Sequence, residues 1–236
     1  MDIVVINGST RHGSTWHCKE LLLNSITSQQ ETQVTEFTLP KDMPHFCKGC
    51  FSCFFKGEDS CPHASNIGPI VEALENSDII VMTSSVYALD ITGQLKALLD
   101  HLCFMWMSHR PNPKMFNKVA VTIATTAGAG LGHTTKTMRN SFKYWCVKRT
   151  FSLKCAVSAS KWDEVTDKRR QKLETKISST AKQVVKAVNK ANKIRTPFTT
   201  RLFFLLMRAM MKKNTWNPKD RNHWLSNGWL DGSMPF

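Results

Sequence analysis

Five short runs of apolar, mostly β-branched residues recur through the first 160 residues, and a helical pattern separates each from the next. The strand-like runs are residues 3–6, 34–39, 79–84, 119–125 and 151–157, and the helical patterns lie near 14–28, 67–76, 92–102 and 133–148. Several runs are apolar at nearly every position, as expected of strands whose sheet is covered by helices on both faces. Alternation of this kind predicts parallel strands joined by helical crossovers.

Five strands favour an α/β, flavodoxin-like, doubly wound sheet over the six-stranded dinucleotide-binding type. A long helix is expected next, over about 163–194. There Leu173, Ile177, Ala181, Val184, Val188 and Ala191 recur at three- and four-residue spacing and give one stripe to pack on the sheet. Pro197 then punctuates the chain. The expected division is a domain over 1–194 and a basic, helical C-terminal extension over 195–236. Within the extension, residues 198–213 are apolar nearly all round except for Arg201, Arg208 and the terminal lysines. Such a helix packs on the body or on a second copy, lies in a membrane surface, or serves as an amphipathic target for a partner.

The net charge of +14 is distributed unevenly. Residues 1–100 carry 6 basic and 12 acidic side chains, residues 101–160 carry 9 basic and none acidic, and residues 161–236 carry 17 against 6. The basic half suits an anion, either phosphate or lipid headgroup. Nucleic acid is not expected as a partner, because no interleaved aromatic platform or recognition motif accompanies the charge. The apolar fraction of 42% excludes wholesale disorder and a multi-span membrane protein. The opening Met1-Asp2-Ile3-Val4-Val5-Ile6 lacks a basic, long-apolar secretory leader, and the apolar stretch 202–207 is too short to cross a bilayer. The expectation is therefore a cytoplasmic protein, at most peripheral to a membrane, with reduced cysteines.

The turn after the first strand reads Asn7-Gly8-Ser9-Thr10-Arg11-His12-Gly13-Ser14-Thr15 and feeds a helix. A short hydroxyl-rich loop at a helix N-terminus gathers unpaired N–H groups at the positive end of the dipole. Ser9, Ser14 and Thr15 add hydroxyls, and Arg11 adds charge. Gly8 and Gly13 have triphosphatase-loop spacing, but Ser14 stands where that motif needs lysine, and no G-x-G-x-x-G is spelled. What remains is a monophosphate pocket suited to a mononucleotide such as FMN, or a helix merely capped by Ser14. A second glycine-rich stretch, Thr126 to Gly132, fails the dinucleotide pattern at His133 and is expected to form a loop at the same sheet edge.

Cys47, Cys50, Cys53 and Cys61 form a C-x2-C-x2-C-x7-C run. Close thiolates on a loop serve iron–sulfur clusters and structural zinc alike, and the triplet is nearer to ferredoxin-type ligation than to paired zinc-finger halves. A cluster, zinc, and reduced thiols without a ligand all stay open. Cys18, Cys103, Cys146 and Cys155 are scattered and are expected as buried small hydrophobes.

Together these motifs resemble the NAD(P)H-dependent FMN reductase family, and within it the iron–sulfur flavoproteins. The resemblance covers about residues 1–160. It rests on the loop 8–15, the cysteine run, and Ser84-Ser85-Val86-Tyr87 followed by Thr92-Gly93-Gln94-Leu95-Lys96 and Asp100, similar to the family's S-P-V-Y…G-x-L-K…D. It implies that Ser9, Arg11, Ser14 and Thr15 hold the FMN phosphate. Ser84, Ser85, Val86 and Tyr87 would flank the ring with backbone N–H groups and an aromatic face, and Thr126 and Gly128 would complete the pocket. Ser85 replaces the family's usual proline. The same resemblance implies a [4Fe-4S] cluster on Cys47, Cys50, Cys53 and Cys61, NAD(P)H as co-substrate, and a homo-oligomer. The implied activity is hydride transfer from the nicotinamide cofactor to FMN and onward to a quinone, flavin or other acceptor. The alternative is an electron-transfer module between ferredoxin-like partners. Since the cofactor carries the chemistry, no Ser–His–Asp set and no catalytic histidine is expected.

Overall fold

A computed structural model describes residues 1–236, except for the side chain of residue 192. Five strands form one all-parallel sheet: β1 (Asp2–Asn7), β2 (Gln33–Thr38), β3 (Ile79–Ser85), β4 (Val119–Thr126) and β5 (Arg149–Ala156), in the order β2-β1-β3-β4-β5. Register is continuous across the sheet: Val5 pairs with Glu36 and Val81, Val81 with Val121, and Val121 with Phe151. Central strands β1, β3 and β4 are almost wholly buried, whereas edge strands β2 and β5 are part exposed and mix polar with apolar residues. This is the burial that a flavodoxin-like doubly wound sheet requires.

Alternate residues of each strand face opposite layers. Ile3, Val5, Val81, Val121 and Leu153 meet α1 (Ser14–Thr27) and α6 (Asp167–Asn189) on one face. On the other, Val4, Ile6, Met82 and Ala124 meet α3 (Ala64–Asn76), α4 (Gly93–His101) and α5 (Leu131–Tyr144). A one-turn helix, α2 (Ser52–Phe55), interrupts the cysteine segment. The expected long helix begins later than 163, because residues 162–164 form a separate 3-10 turn whose Glu164 carboxylate accepts the N–H groups of Ser160 and Lys161 at 3.2 and 3.1 Å.

The extension forms α7 (Phe198–Lys212) and α8 (Pro218–Ser226), and it builds a third core. Phe204, Met207, Met211, Trp224 and Trp229 pack with Met107, Phe116 and Cys146 of the body. Phe204 stacks on Trp224 with ring centroids 4.9 Å apart, and the Trp224 indole N–H donates to the His109 carbonyl at 2.8 Å. Asp220 of α8 is fully buried and accepts from the Arg110 guanidinium and from Nδ1 of His109, the latter at 2.8 Å. Arg110 also donates to the carbonyls of Cys53 and Phe54 and so ties α8 to the cysteine segment. Without Asp220 the buried Arg110 keeps only the half-exposed Glu58 carboxylate, 3.2 Å away, as a charge partner. Asp220→Ala should cost about 3–5 kcal/mol in urea unfolding; a loss below about 1 kcal/mol would show that Glu58 and water satisfy Arg110 instead.

Candidate functional site

The carboxyl ends of parallel strands all point to one edge, where a sheet of this order leaves a crevice beside β1 and β3. Here the loops after β1, β3, β4 and β5 enclose a cavity of about 260 Å³. Arg11, Gly13 and Ser14 contribute from the first loop, Ser85, Val86 and Tyr87 from the second, Thr125, Thr126 and Ala127 from the third, and Val157, Ala159 and Ser160 from the last.

Helix α1 begins at this cavity. Gly13 occupies its N-cap position and no side chain caps it, so the Ser14 hydroxyl leaves the first-turn N–H groups to another partner. The first bond of the turn runs from the His17 N–H to the Gly13 carbonyl at 3.1 Å, beyond Ser14, Thr15 and Trp16. Arg11 lies across the mouth and donates from Nη2 to the Ser160 carbonyl at 3.1 Å. Its own N–H is received by the Ser9 hydroxyl at 3.1 Å. The loop can leave β1 so tightly because residue 8 is glycine: a Cβ there would sit 2.5 Å from the Thr83 carbonyl oxygen.

Below the loop lies a chain of hydroxyls. Thr15 Oγ1 shares a hydrogen bond with Ser85 Oγ at 2.8 Å and another with Thr125 Oγ1. Ser85 thus makes a contact that proline could not. Ser84 is buried; its hydroxyl receives the Thr92 N–H at 3.0 Å while Thr92 Oγ1 donates to the Gly8 carbonyl at 2.7 Å. The next loop turns sharply: Tyr87 and Asp90 exchange two backbone hydrogen bonds of 2.9 Å, with Ala88 at φ 47° and Leu89 at φ 65°. Non-glycine residues in that region cost about 1–3 kcal/mol each. Asp90 steadies the turn by accepting from the Thr137 hydroxyl at 2.8 Å.

Of the residues singled out in the sequence, Arg11, Ser14, Ser85, Val86, Tyr87 and Thr126 line the cavity, and Thr15 supports its floor. Ser9, Ser84 and Gly128 are outside the lining, with the Ser9 and Ser84 hydroxyls engaged by backbone N–H groups of the chain itself. The expected N–H donors at 86 and 87 are also engaged: Val86 donates to the Thr125 carbonyl and Tyr87 to that of Asp90, both at 2.9 Å. Those two residues therefore offer side chains rather than N–H groups. Thr125, Ala127, Val157, Ala159 and Ser160 went unrecognised in the sequence, although the carboxyl ends of β4 and β5 belong to the same edge. The glycine that matters in the third loop is Gly130. It has φ +96°, and a Cβ would meet Val86 Cγ1 at 2.6 Å.

The cysteine run closes on a second, apolar cavity of about 150 Å³, where Cys47, Cys50, Cys53 and Cys61 share the lining with Phe51, Phe54 and Pro62. Cys103 joins them and is only partly buried, which corrects its reading as an ordinary core residue; Cys18, Cys146 and Cys155 are buried as expected. Burial, followed by the neighbouring Cys61, pushes the Cys53 thiol up to about 11, and burial pushes Cys103 up to about 12. Hydrogen bonding from Ser52 draws the exposed Cys50 thiol down. Among the described residues no three His, Cys, Asp or Glu side chains are gathered tightly enough for a single metal ion.

A model of the NADPH-dependent FMN reductase family matches residues 1–163. The chain belongs to that family. An iron–sulfur flavoprotein of Archaeoglobus fulgidus is 33% identical over 86 residues, 36% of each chain. An iron–sulfur flavoprotein of Methanocaldococcus jannaschii is 29% identical over 125 residues, 52% of this chain and 61% of that one. The chain thus spans about a third to two thirds of these curated relatives. Among solved structures, an FMN-dependent NADH-azoreductase of Bacillus anthracis in complex with FMN aligns with a TM-score of 0.59 at 11% identity, covering 77% of this chain and 100% of that one. An NADH:FMN oxidoreductase in its apo form aligns with a TM-score of 0.51 at 19% identity, covering 85% and 93%. At those identities the likeness concerns the fold that this FMN reductase family member shares with them.

Beside the cavity, the two glycines of the third loop should separate cleanly. Gly130→Ala should lower stability by about 1–3 kcal/mol through strain and the clash with Val86. Gly128→Ala, which meets nothing within 4 Å, should change it by less than about 0.5 kcal/mol. Thermal unfolding of both variants measures the contrast, and equal midpoints would contradict it.

Proposed function

We propose that the chain is an FMN-dependent NAD(P)H oxidoreductase that passes reducing equivalents to a quinone, flavin or other acceptor. The observation that carries this reading is the uncapped first turn of α1 facing the cavity at the sheet's carboxyl edge. The residues present fit FMN. Free N–H groups, the Ser14 hydroxyl and the Arg11 guanidinium supply donors for a doubly charged phosphate. Val86, Tyr87, Thr126 and Ala127 supply a part-apolar wall for a flat ring.

When bound, FMN supplies hydride acceptance from the nicotinamide and onward electron transfer; the chain's residues supply position. Thr15 and Ser85 hold each other, so the loop after β3 keeps its distance from α1. The strained 87–90 turn leaves the Tyr87 ring half exposed at the mouth, where a nicotinamide or an acceptor would approach. No side chain of the cavity is asked to act as acid or base.

A second reading adds an iron–sulfur cluster that relays electrons between FMN and a ferredoxin-like partner. It is supported by the gathering of Cys47, Cys50, Cys53 and Cys61 around one apolar cavity. Cysteine side chains closely spaced on one segment are the ligand type that iron–sulfur clusters use.

Arg11→Ala should weaken FMN binding about 10- to 100-fold, the worth of a charge-assisted hydrogen bond; unchanged affinity in a fluorescence titration would remove the phosphate assignment. Cys50→Ser should erase any broad visible absorbance that bleaches on reduction in anaerobically prepared protein, while leaving FMN bound. Loss of FMN as well would make the cysteine segment a structural element.

A further inference from the structure

Helix α7 presents two unlike faces. Phe204, Met207 and Met211 are buried against the body, but Phe198, Leu202, Leu205, Leu206 and Met210 are 45–77% exposed on the outer side. Spacings of three, four and one place those five on a single stripe. Exposed apolar patches of this kind mark interaction surfaces. No helix among the described residues is long and apolar enough to cross a membrane, so the stripe can lie on a bilayer but α7 cannot span one.

At the root of this helix is a cavity of about 510 Å³, between α5, the start of β5 and residues 197–200. Lys136, Arg139 and Lys143 reach it from one face of α5, and Lys148 from the start of β5. No carboxylate lines it, and none of the four cations has an ion-pair partner among the described residues. Lys148 is buried yet stays oriented, its Nζ donating to Asn117 Oδ1 at 3.1 Å and to the Ala191 carbonyl at 2.8 Å. The same lysine borders an adjoining cavity with Lys193, Arg195, Arg201 and Thr196. The Thr196 hydroxyl is buried without a hydrogen-bond partner among the described residues. Across residues 175–219 there are 11 basic and no acidic side chains. Converging like charges repel, and a concavity built of them is stabilised only by an anion.

We propose that this basic cavity receives the phosphoryl headgroup of an anionic lipid while the exposed stripe of α7 rests among the acyl chains, docking the protein on a negatively charged membrane surface. Charge and apolar surface meet at one point: Pro197, Thr199 and Thr200 line the cavity, and Phe198 between them opens the stripe. The cations gathered at the start of α7, with no carboxylate in the cavity lining, complement an anionic bilayer, which neutralises them. The site is at the amino end of β5 and the redox cavity at its carboxyl end, a strand length of roughly 25 Å away. Docking therefore leaves the mouth between Tyr87 and Ser160 open to its substrates.

The test is sedimentation of the full chain, preincubated with FMN, with vesicles of phosphatidylcholine alone and of phosphatidylcholine containing phosphatidylglycerol. The protein should pellet only with the anionic vesicles, and less so as salt is raised. The combined variant Lys136→Ala, Arg139→Ala, Lys143→Ala should bind about 100-fold more weakly. Leu202→Ser with Leu206→Ser should lose about 10-fold or more. Both variants should keep the wild-type unfolding midpoint, which shows that they fold. Failure to pellet with anionic vesicles, or equal binding by the triple variant, overturns the proposal. So does displacement from vesicles by millimolar inorganic phosphate at constant ionic strength, which would make the cavity a free-anion site. A dimer in sedimentation velocity that Leu206→Ser dissolves, in protein that ignores vesicles, assigns the stripe to a second copy instead.

Discussion

The backbone N–H groups in the first turn of α1 have no partner among the described residues, and the sheet's topology decides where they point. All five strands run parallel, so their carboxyl ends share one edge, and α1 begins at that edge after a loop of six residues. Gly8 presses the loop against the Thr83 carbonyl with no room for a Cβ. The helix start is thereby fixed relative to β3, and the loops after β3, β4 and β5 complete the wall. An uncapped helix terminus in a part-enclosed cavity suits an anion, with the orientation of its N–H groups already set.

What keeps that wall rigid is a set of short polar contacts rather than apolar packing. Thr15, Ser85 and Thr125 form one hydroxyl chain, and Ser84, Thr92 and Gly8 form a second beside it. Every hydroxyl oxygen in these two chains takes part in at least one hydrogen bond, which favours a rigid polar wall. Ser85 belongs to this arrangement: its hydroxyl ties the loop after β3 to α1, a contact that proline at this position would lack. The strained turn at Ala88 and Leu89 is held by Asp90 in the same manner.

The strands and most helices were legible because burial on both faces leaves continuous apolar runs, and because α1 and α6 each repeat apolar residues at three and four. The loop after β1 was legible as a strand-to-helix turn from its order: strand, hydroxyls, helix. Features made by residues far apart in sequence were not. Ser160 reaches Arg11 across nearly the whole sheet domain. Cys103 joins a cavity formed by residues some fifty positions earlier. Arg110 and Asp220 are ordinary surface residue types that the sequence gives no reason to bury, yet their pair ties the C-terminal helices to the cysteine segment. Gly130 rather than Gly128 matters because of Val86, a neighbour that only the folded loop supplies. The extension's apolar residues divide between a third core and an exposed stripe, a partition that α7's composition conceals and its packing reveals.

Calorimetric titration with FMN beside riboflavin, which carries the same ring and no phosphate, isolates the phosphate grip proposed for the start of α1. FMN should bind at least about 100-fold more tightly than riboflavin, the worth of two charge-assisted hydrogen bonds there. Equal affinities, or no heat with either compound, would contradict the proposed grip.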